Sequence, residues 1–154
     1  MAHELTMRNG RAEMAYVGET PWHGLGQQLK PGASIDEWIA AAGMDWKLAR
    51  SRVRFGEGKN QRTWDDRVVL FRGDTKAPLA VVSDQYQTVQ PRQMLEFFRD
   101  LAAANKLTLE TAGTLRGGAV YWALARMPEQ ADVGLGDRIK AMSLMSSSAD
   151  GSRK

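Results

Sequence analysis

Arg50, Arg52 and Arg54 recur at every second position within the run Trp46–Phe55. Side chains of a strand alternate between its faces, so this spacing sets the three guanidinium groups in one row, about 6.6 Å apart, on the face that also carries Leu48. Lys47, Ala49, Ser51, Val53 and Phe55 take the other face. The planar fork of arginine matches phosphate, and an extended single strand of nucleic acid repeats on a similar scale. Lys59, Arg62 and Arg67 prolong the row, and Trp64, or Trp46 at its start, offers an indole on which a base can stack. The same residues also read as a solvated outer face whose charges discourage edge pairing, with Trp64 anchoring a loop. From Lys47 to Lys76 nine bases face four acids, a surplus of five in a chain whose net charge is +3.

Other chemistry is thinly represented. The chain has no cysteine, and its two histidines, His3 and His23, leave too few ligands for a protein-only zinc site. Asp65 and Asp66 are adjacent, point to opposite faces of a strand and lack a third carboxylate at useful spacing, so they read as charge balance for Arg62 and Arg67. His23 and Glu19 are the nearest approach to an acid–base pair, and they sit in the glycine-bearing run Gly18-Glu19-Thr20-Pro21-Trp22-His23-Gly24-Leu25-Gly26. That run reads as a tight loop with Trp22 filling an apolar hole; no Lys-Ser/Thr pair follows Gly26 to make it a phosphate cradle. The expectation is a protein without catalytic residues, metal or cofactor, not an enzyme.

The elements that position the arginine row are legible around it. Val68–Arg72 and Leu79–Ser83 read as a hairpin across the turn Gly73–Pro78, followed by a helix opening at Pro91 with Met94, Leu95, Phe98 and Leu101 at helical spacing and a stop at Asn105 in the left-handed position. Ser34 and Glu37 form a capping box for an earlier helix, stopped by Gly43. Strands are expected over Leu107–Leu115, Ala119–Met127 and Arg138–Ser146, with a mobile connection over Gly56–Asp66 and a loop over Pro128–Gly136. The predicted fold is α+β, a single domain over residues 1–154 with one antiparallel sheet and two main helices packed on one face. The arginine row is expected on the face opposite the helix. Residues 1–17 read as a flexible or partner-dependent arm, and 147–154 as a polar tail.

Met1-Ala2-His3-Glu4-Leu5, the Gly18–Gly26 loop, Ala42-Gly43-Met44-Asp45-Trp46, and Ser83-Asp84-Gln85-Tyr86 with Val89-Gln90-Pro91 resemble the phage/plasmid-like family that carries a domain of unknown function. The resemblance implies an origin in a mobile element and brings no activity. Members of that family continue past the positions matching Ser146–Ser152, so the chain reads either as a shortened relative or as lacking further strands. The order helix, three antiparallel strands, helix is also similar to the core of single-strand annealing proteins, an analogy of order without a motif.

Two functions follow as expectations. One is an accessory protein of a phage or plasmid that binds nucleic acid, in particular single-stranded DNA during annealing or recombination, through Arg50, Arg52, Arg54, Lys59, Arg62, Trp64 and Arg67. The alternative is a small non-catalytic inhibitor that binds a host defence or DNA-processing complex. Either way a cytoplasmic protein, a possible homo-oligomer, is expected, since no apolar run approaches the ~20 residues that span a bilayer.

Overall fold

The computed structural model describes residues 4–132 and 138–152. In chain order it has strands β1 (Met7–Arg8), β2 (Arg11–Ala12), β3 (Met14–Val17) and β4 (Gln27–Leu29), helix α1 (Ile35–Ala41), and strands β5 (Leu48–Phe55), β6 (Arg62–Arg72) and β7 (Pro78–Ser83). Helix α2 (Pro91–Ala104) and strands β8 (Thr108–Leu115), β9 (Val120–Asp132) and β10 (Arg138–Ser148) complete it. The class is α+β, and the expectation of one antiparallel sheet is corrected. There is a β1–β2 ribbon, a five-stranded sheet in the order β10-β9-β8-β3-β4, and a separate three-stranded sheet β5-β6-β7. The pair β3–β4 is parallel.

The larger sheet takes in both ends of the chain. Residues 4–17, read as an arm, supply β3 between β8 and β4, with Ala12, Met14, Ala15 and Tyr16 buried. Consecutive burial on both faces removes the apolar–polar alternation by which a strand is recognised, which is why this one has no visible period. Residues 1–3 of that arm lie outside the described residues. At the other end β10 runs through Ser148, so Ser147 and Ser148 are sheet and not tail, and buried Ala149 just beyond donates its N–H to the Ala119 carbonyl at 2.7 Å. Arg153 and Lys154 lie outside the described residues. Strand β9 continues to Asp132 where a loop was expected from Pro128, and the remainder of that loop, 133–136, lies outside them too.

Both helices begin where their caps predict. The Glu37 N–H donates to Ser34 Oγ at 3.3 Å and the Ser34 N–H to Glu37 Oε2 at 2.7 Å, which satisfies two amides that the first turn of α1 leaves unpaired. Gly43 ends the segment at φ +66°, and its missing Cβ also admits a neighbour: one added there would stand 2.5 Å from Glu13 Cγ. Pro91 is the first residue of α2. The Gln90 side chain just before it accepts from the Leu48 N–H at 2.8 Å and donates to the Leu48 carbonyl at 3.1 Å, which ties the helix to the edge of β5. Asn105 keeps a negative φ of −103° and donates its side-chain amide to the Leu101 carbonyl, while Lys106 takes the left-handed position at φ 56°.

One core joins the two sheets. Pro91, Met94, Leu95, Phe98 and Ala102 are the buried face of α2; Leu101, expected among them, is 39% exposed. Met94, Leu95, Phe98 and Ala102 belong to the cluster that includes Trp38 and Ile39 of α1, Leu48 and Leu70 of the smaller sheet, and Ala15, Ala112, Ala123 and Ala125 of the larger. Those four alanines have zero exposure, and their short side chains give the helices a shallow floor. Among the described residues no helix is long and apolar enough to cross a membrane.

Candidate nucleic-acid interface

Residues directly opposite one another in an antiparallel pair point to the same face of a sheet. Leu48 opposes Arg72, Arg50 opposes Leu70 and Arg52 opposes Val68, and across β7 Val68 opposes Val82. Leu48, Leu70, Val68 and Val82 all pack in or against the core. The arginine row therefore lies on the face that the core covers, which corrects the expectation that it stands opposite the helix. It remains exposed because β5 outruns the core: Leu48 is buried, while Arg50, Arg52 and Arg54 are all in solvent. The Arg50 guanidinium donates to the Asp84 carbonyl at the margin.

Beyond Arg52 only β5 and β6 continue, as a two-stranded ribbon. The register slips there: Arg52 opposes Val68 but Val53 opposes Trp64, so Asp65, Asp66 and Arg67 form a bulge in β6. An odd insertion of three residues reverses the parity of the bulged strand. Arg54 then stands opposite Thr63 on one side of the ribbon, while Val53, Phe55, Trp64 and Arg62 share the other. Lys59 sits in the 3-10 turn Gly58–Asn60 at the tip. Trp64, expected in a mobile loop, is thus a strand residue, 47% exposed, with the Arg67 guanidinium 5.4 Å from its ring centre.

Ion pairing sets these arginines apart from most of the others; Arg11, which donates to Gln27 Oε1 at 2.9 Å, is the exception. Arg8, Arg72, Arg92, Arg99, Arg116 and Arg126 each bind a carboxylate. Among the described residues none of Arg50, Arg52, Arg54, Arg62 and Arg67 does. Asp65 and Asp66, expected to balance Arg62 and Arg67, make no ion pair with them; the Arg67 guanidinium donates instead to the Asp66 carbonyl, at 3.3 Å. The ribbon is consequently a place where cations are held in solvent without a carboxylate partner among the described residues.

Two other aromatic expectations change. Trp46 is 4% exposed, covered by the Arg72 guanidinium 4.5 Å above its ring, and cannot stack a base. Trp22 does not fill an apolar hole: it is 83% exposed, its ring edge-on to His23 at 5.6 Å. His23 Nδ1 accepts the Leu25 N–H at 3.1 Å, a turn-forming bond. His3 lies outside the described residues.

A second polar cluster, which the charge count hid, lies where the sheets meet. Buried Arg72 donates to both oxygens of Glu13 at 2.8 Å, to both oxygens of Asp74 at 3.0 and 2.9 Å, and to the Gly117 carbonyl at 3.2 Å. Thr114 Oγ1 donates to Glu13 Oε2 at 2.5 Å, and Arg8 reaches Asp74 at 2.6 Å. Gly118, at φ +100°, leaves room for this: a Cβ there would sit 2.9 Å from Trp46 and 3.1 Å from Arg72. Burial disfavours the Arg72 charge, but the bonds to Glu13 and Asp74 outweigh it and raise its pKa. Asp74 is held below the usual carboxylate range, chiefly by the bonds that Arg72 donates. A depressed carboxyl contributes stability that is fully present above the unfolded aspartate value of about 4 and is lost as pH falls through its folded value. Urea midpoints measured between pH 7 and pH 3 should therefore fall less steeply in Asp74→Asn than in the native protein.

No curated protein and no solved structure matches this chain. Residues 78–154, which run from the first residue of β7 through β10 and make up half of the sequence, match the family described as Domain of unknown function (DUF932). On that match the chain belongs to the DUF932 family.

Proposed function

We propose that the protein binds nucleic acid through the β5–β6 ribbon, as an accessory protein of a phage or plasmid in the annealing or recombination of single-stranded DNA. One observation carries this reading: among the described residues the arginines of the ribbon are exposed and without carboxylate partners, whereas six of the arginines elsewhere are ion-paired and Arg11 is bonded to Gln27. An unpaired surface guanidinium keeps its full attraction for phosphate, and displacement of condensed counterions then drives binding. The projecting ribbon puts Arg52, Arg54, Lys59 and Arg62 where a strand of nucleic acid can reach them without disturbing the core. The mobile-element setting rests on the sequence resemblance.

Fluorescence anisotropy of a labelled single-stranded oligonucleotide, titrated at several salt concentrations, tests the reading. Binding should weaken linearly in log–log form, and Arg52→Ala/Arg54→Ala/Arg62→Ala should reduce that slope by about 2, at roughly 0.7 per phosphate contact on single strands. Absence of binding at low salt sinks the proposal. Capture of a host protein that persists after nuclease treatment would then favour the inhibitor role.

A further inference from the structure

The outer face of the three-stranded sheet is uncovered. Ala49, Ser51, Val53 and Phe55 of β5 lie on it, with Phe71 and Val69 of β6 and Val81 of β7; Ala49 opposes Phe71, and Val69 opposes both Ser51 and Val81. None of these apolar side chains belongs to the core cluster, and Val81 and Phe55 are 55% and 54% exposed. The parity reversal at the Asp65–Arg67 bulge keeps this face continuous, because it turns Trp64 and Arg62 to the side that Phe71 and Val69 occupy before it. Without the bulge Trp64 would fall on the arginine side.

Three aromatic rings therefore lie along one face, Phe55 and Trp64 exposed and Phe71 half-buried, and each has a cation beside it. Arg67 is 5.4 Å from the ring centre of Trp64, Lys76 is 5.8 Å from that of Phe71, and Arg62 is directly opposite Phe55. Phe55 is the diagonal neighbour of Trp64, about 7–8 Å away in a regular ladder. Phe71 lies four ladder steps up from Trp64, about 13 Å at the usual rise. The shorter separation suits successive bases of an extended strand and the longer one every second base, and a ring flanked by a cation suits a base attached to a phosphate.

We infer that this face stacks the bases of single-stranded nucleic acid, with Phe55, Trp64 and Phe71 as the platforms and Arg62, Arg67 and Lys76 beside the backbone. The inference rests on the ribbon being a nucleic-acid interface and adds which side of it takes the bases and through which residues. Paired bases in a duplex have their faces already stacked, so a flat aromatic surface selects the unpaired form. Arg52 and Arg54, on the reverse side of the ribbon, attract the strand without touching its bases.

The test uses Phe55→Ala and Trp64→Ala, both at exposed positions, with circular dichroism melts to verify folding, against a single-stranded 20-mer and a duplex hairpin of matched length. Each variant should weaken single-strand binding by about five- to 150-fold with an unchanged salt slope, since no phosphate contact is lost. Trp64→Phe should retain most of the affinity, and the quenching of intrinsic fluorescence that the oligonucleotide causes in the native protein should be largely lost in it, although four other tryptophans remain. Equal weakening toward single strand and duplex overturns the stacking role. So does native affinity in both alanine variants; if Arg52→Ala/Arg54→Ala/Arg62→Ala still loses binding, the charged interface stands and only the stacking face falls. Failure of the native protein to bind either probe removes both the interface and the inference.

Discussion

Arg72→Met is expected to cost about 3–5 kcal/mol of unfolding free energy, the range found when one member of a buried ion pair is removed. Arg72 and Glu13 have side chains 3% and 5% exposed, so the variant leaves a carboxylate almost closed to water that keeps, among the described residues, the Thr114 hydroxyl as its side-chain donor. The loss also crosses the boundary between sheets, because Glu13 and Thr114 belong to the five-stranded side and Arg72 to β6. Glu13→Met in the same background should recover part of the loss, since a buried pair replaced by apolar side chains of similar volume is often tolerated. Urea unfolding at pH 7, followed by far-ultraviolet circular dichroism, measures both. A single-variant cost below about 1 kcal/mol would mean that the cluster is hydrated, in the range of surface pairs.

What could be read from the sequence was what is local. Ser34 with Glu37, Pro91, and the turn between Val68–Arg72 and Leu79–Ser83 each act within a few residues, and each sits where its chemistry places it. The alanine-rich strands did not announce their pairing: Ala15 meets Ala112 and Ala112 meets Ala123, contacts set by the tertiary fold. The arginine row was correctly spaced and assigned to the wrong face. The clue was Leu48, which shares the parity of Arg50, Arg52 and Arg54 and is buried, so the row begins in the core and only later emerges. The bulge left no comparable signal, and counting by twos through Asp65–Arg67 misplaces Trp64. Likewise Arg72 shares parity with Leu70 and Val68, which marks it as inward-facing, but its partner Glu13 is 59 residues away and no local rule names it.

The other large effect separates two adjacent phenylalanines. Phe98→Ala should destabilise the protein by about 3–5 kcal/mol, whereas Phe97→Ala should change stability by no more than about 0.5 kcal/mol. Neighbouring helix positions are rotated by 100°, and this rotation takes α2 from a side chain 61% exposed at Phe97 to one 1% exposed at Phe98. Removing the Phe98 ring leaves a cavity against the core, and the part of the cost that depends on cavity size depends on how far neighbours can move in. The core cluster that holds Phe98 has little reach: Ala112, Ala123 and Ala125 offer a single methyl each, and Met94 and Leu95 are themselves fully packed. The cost should therefore fall toward the upper end of that range. Chemical denaturation of the two variants side by side checks the phase of the helix directly. Comparable losses in both would place the buried stripe midway between them and bring Leu101 back into the core in place of Ala102.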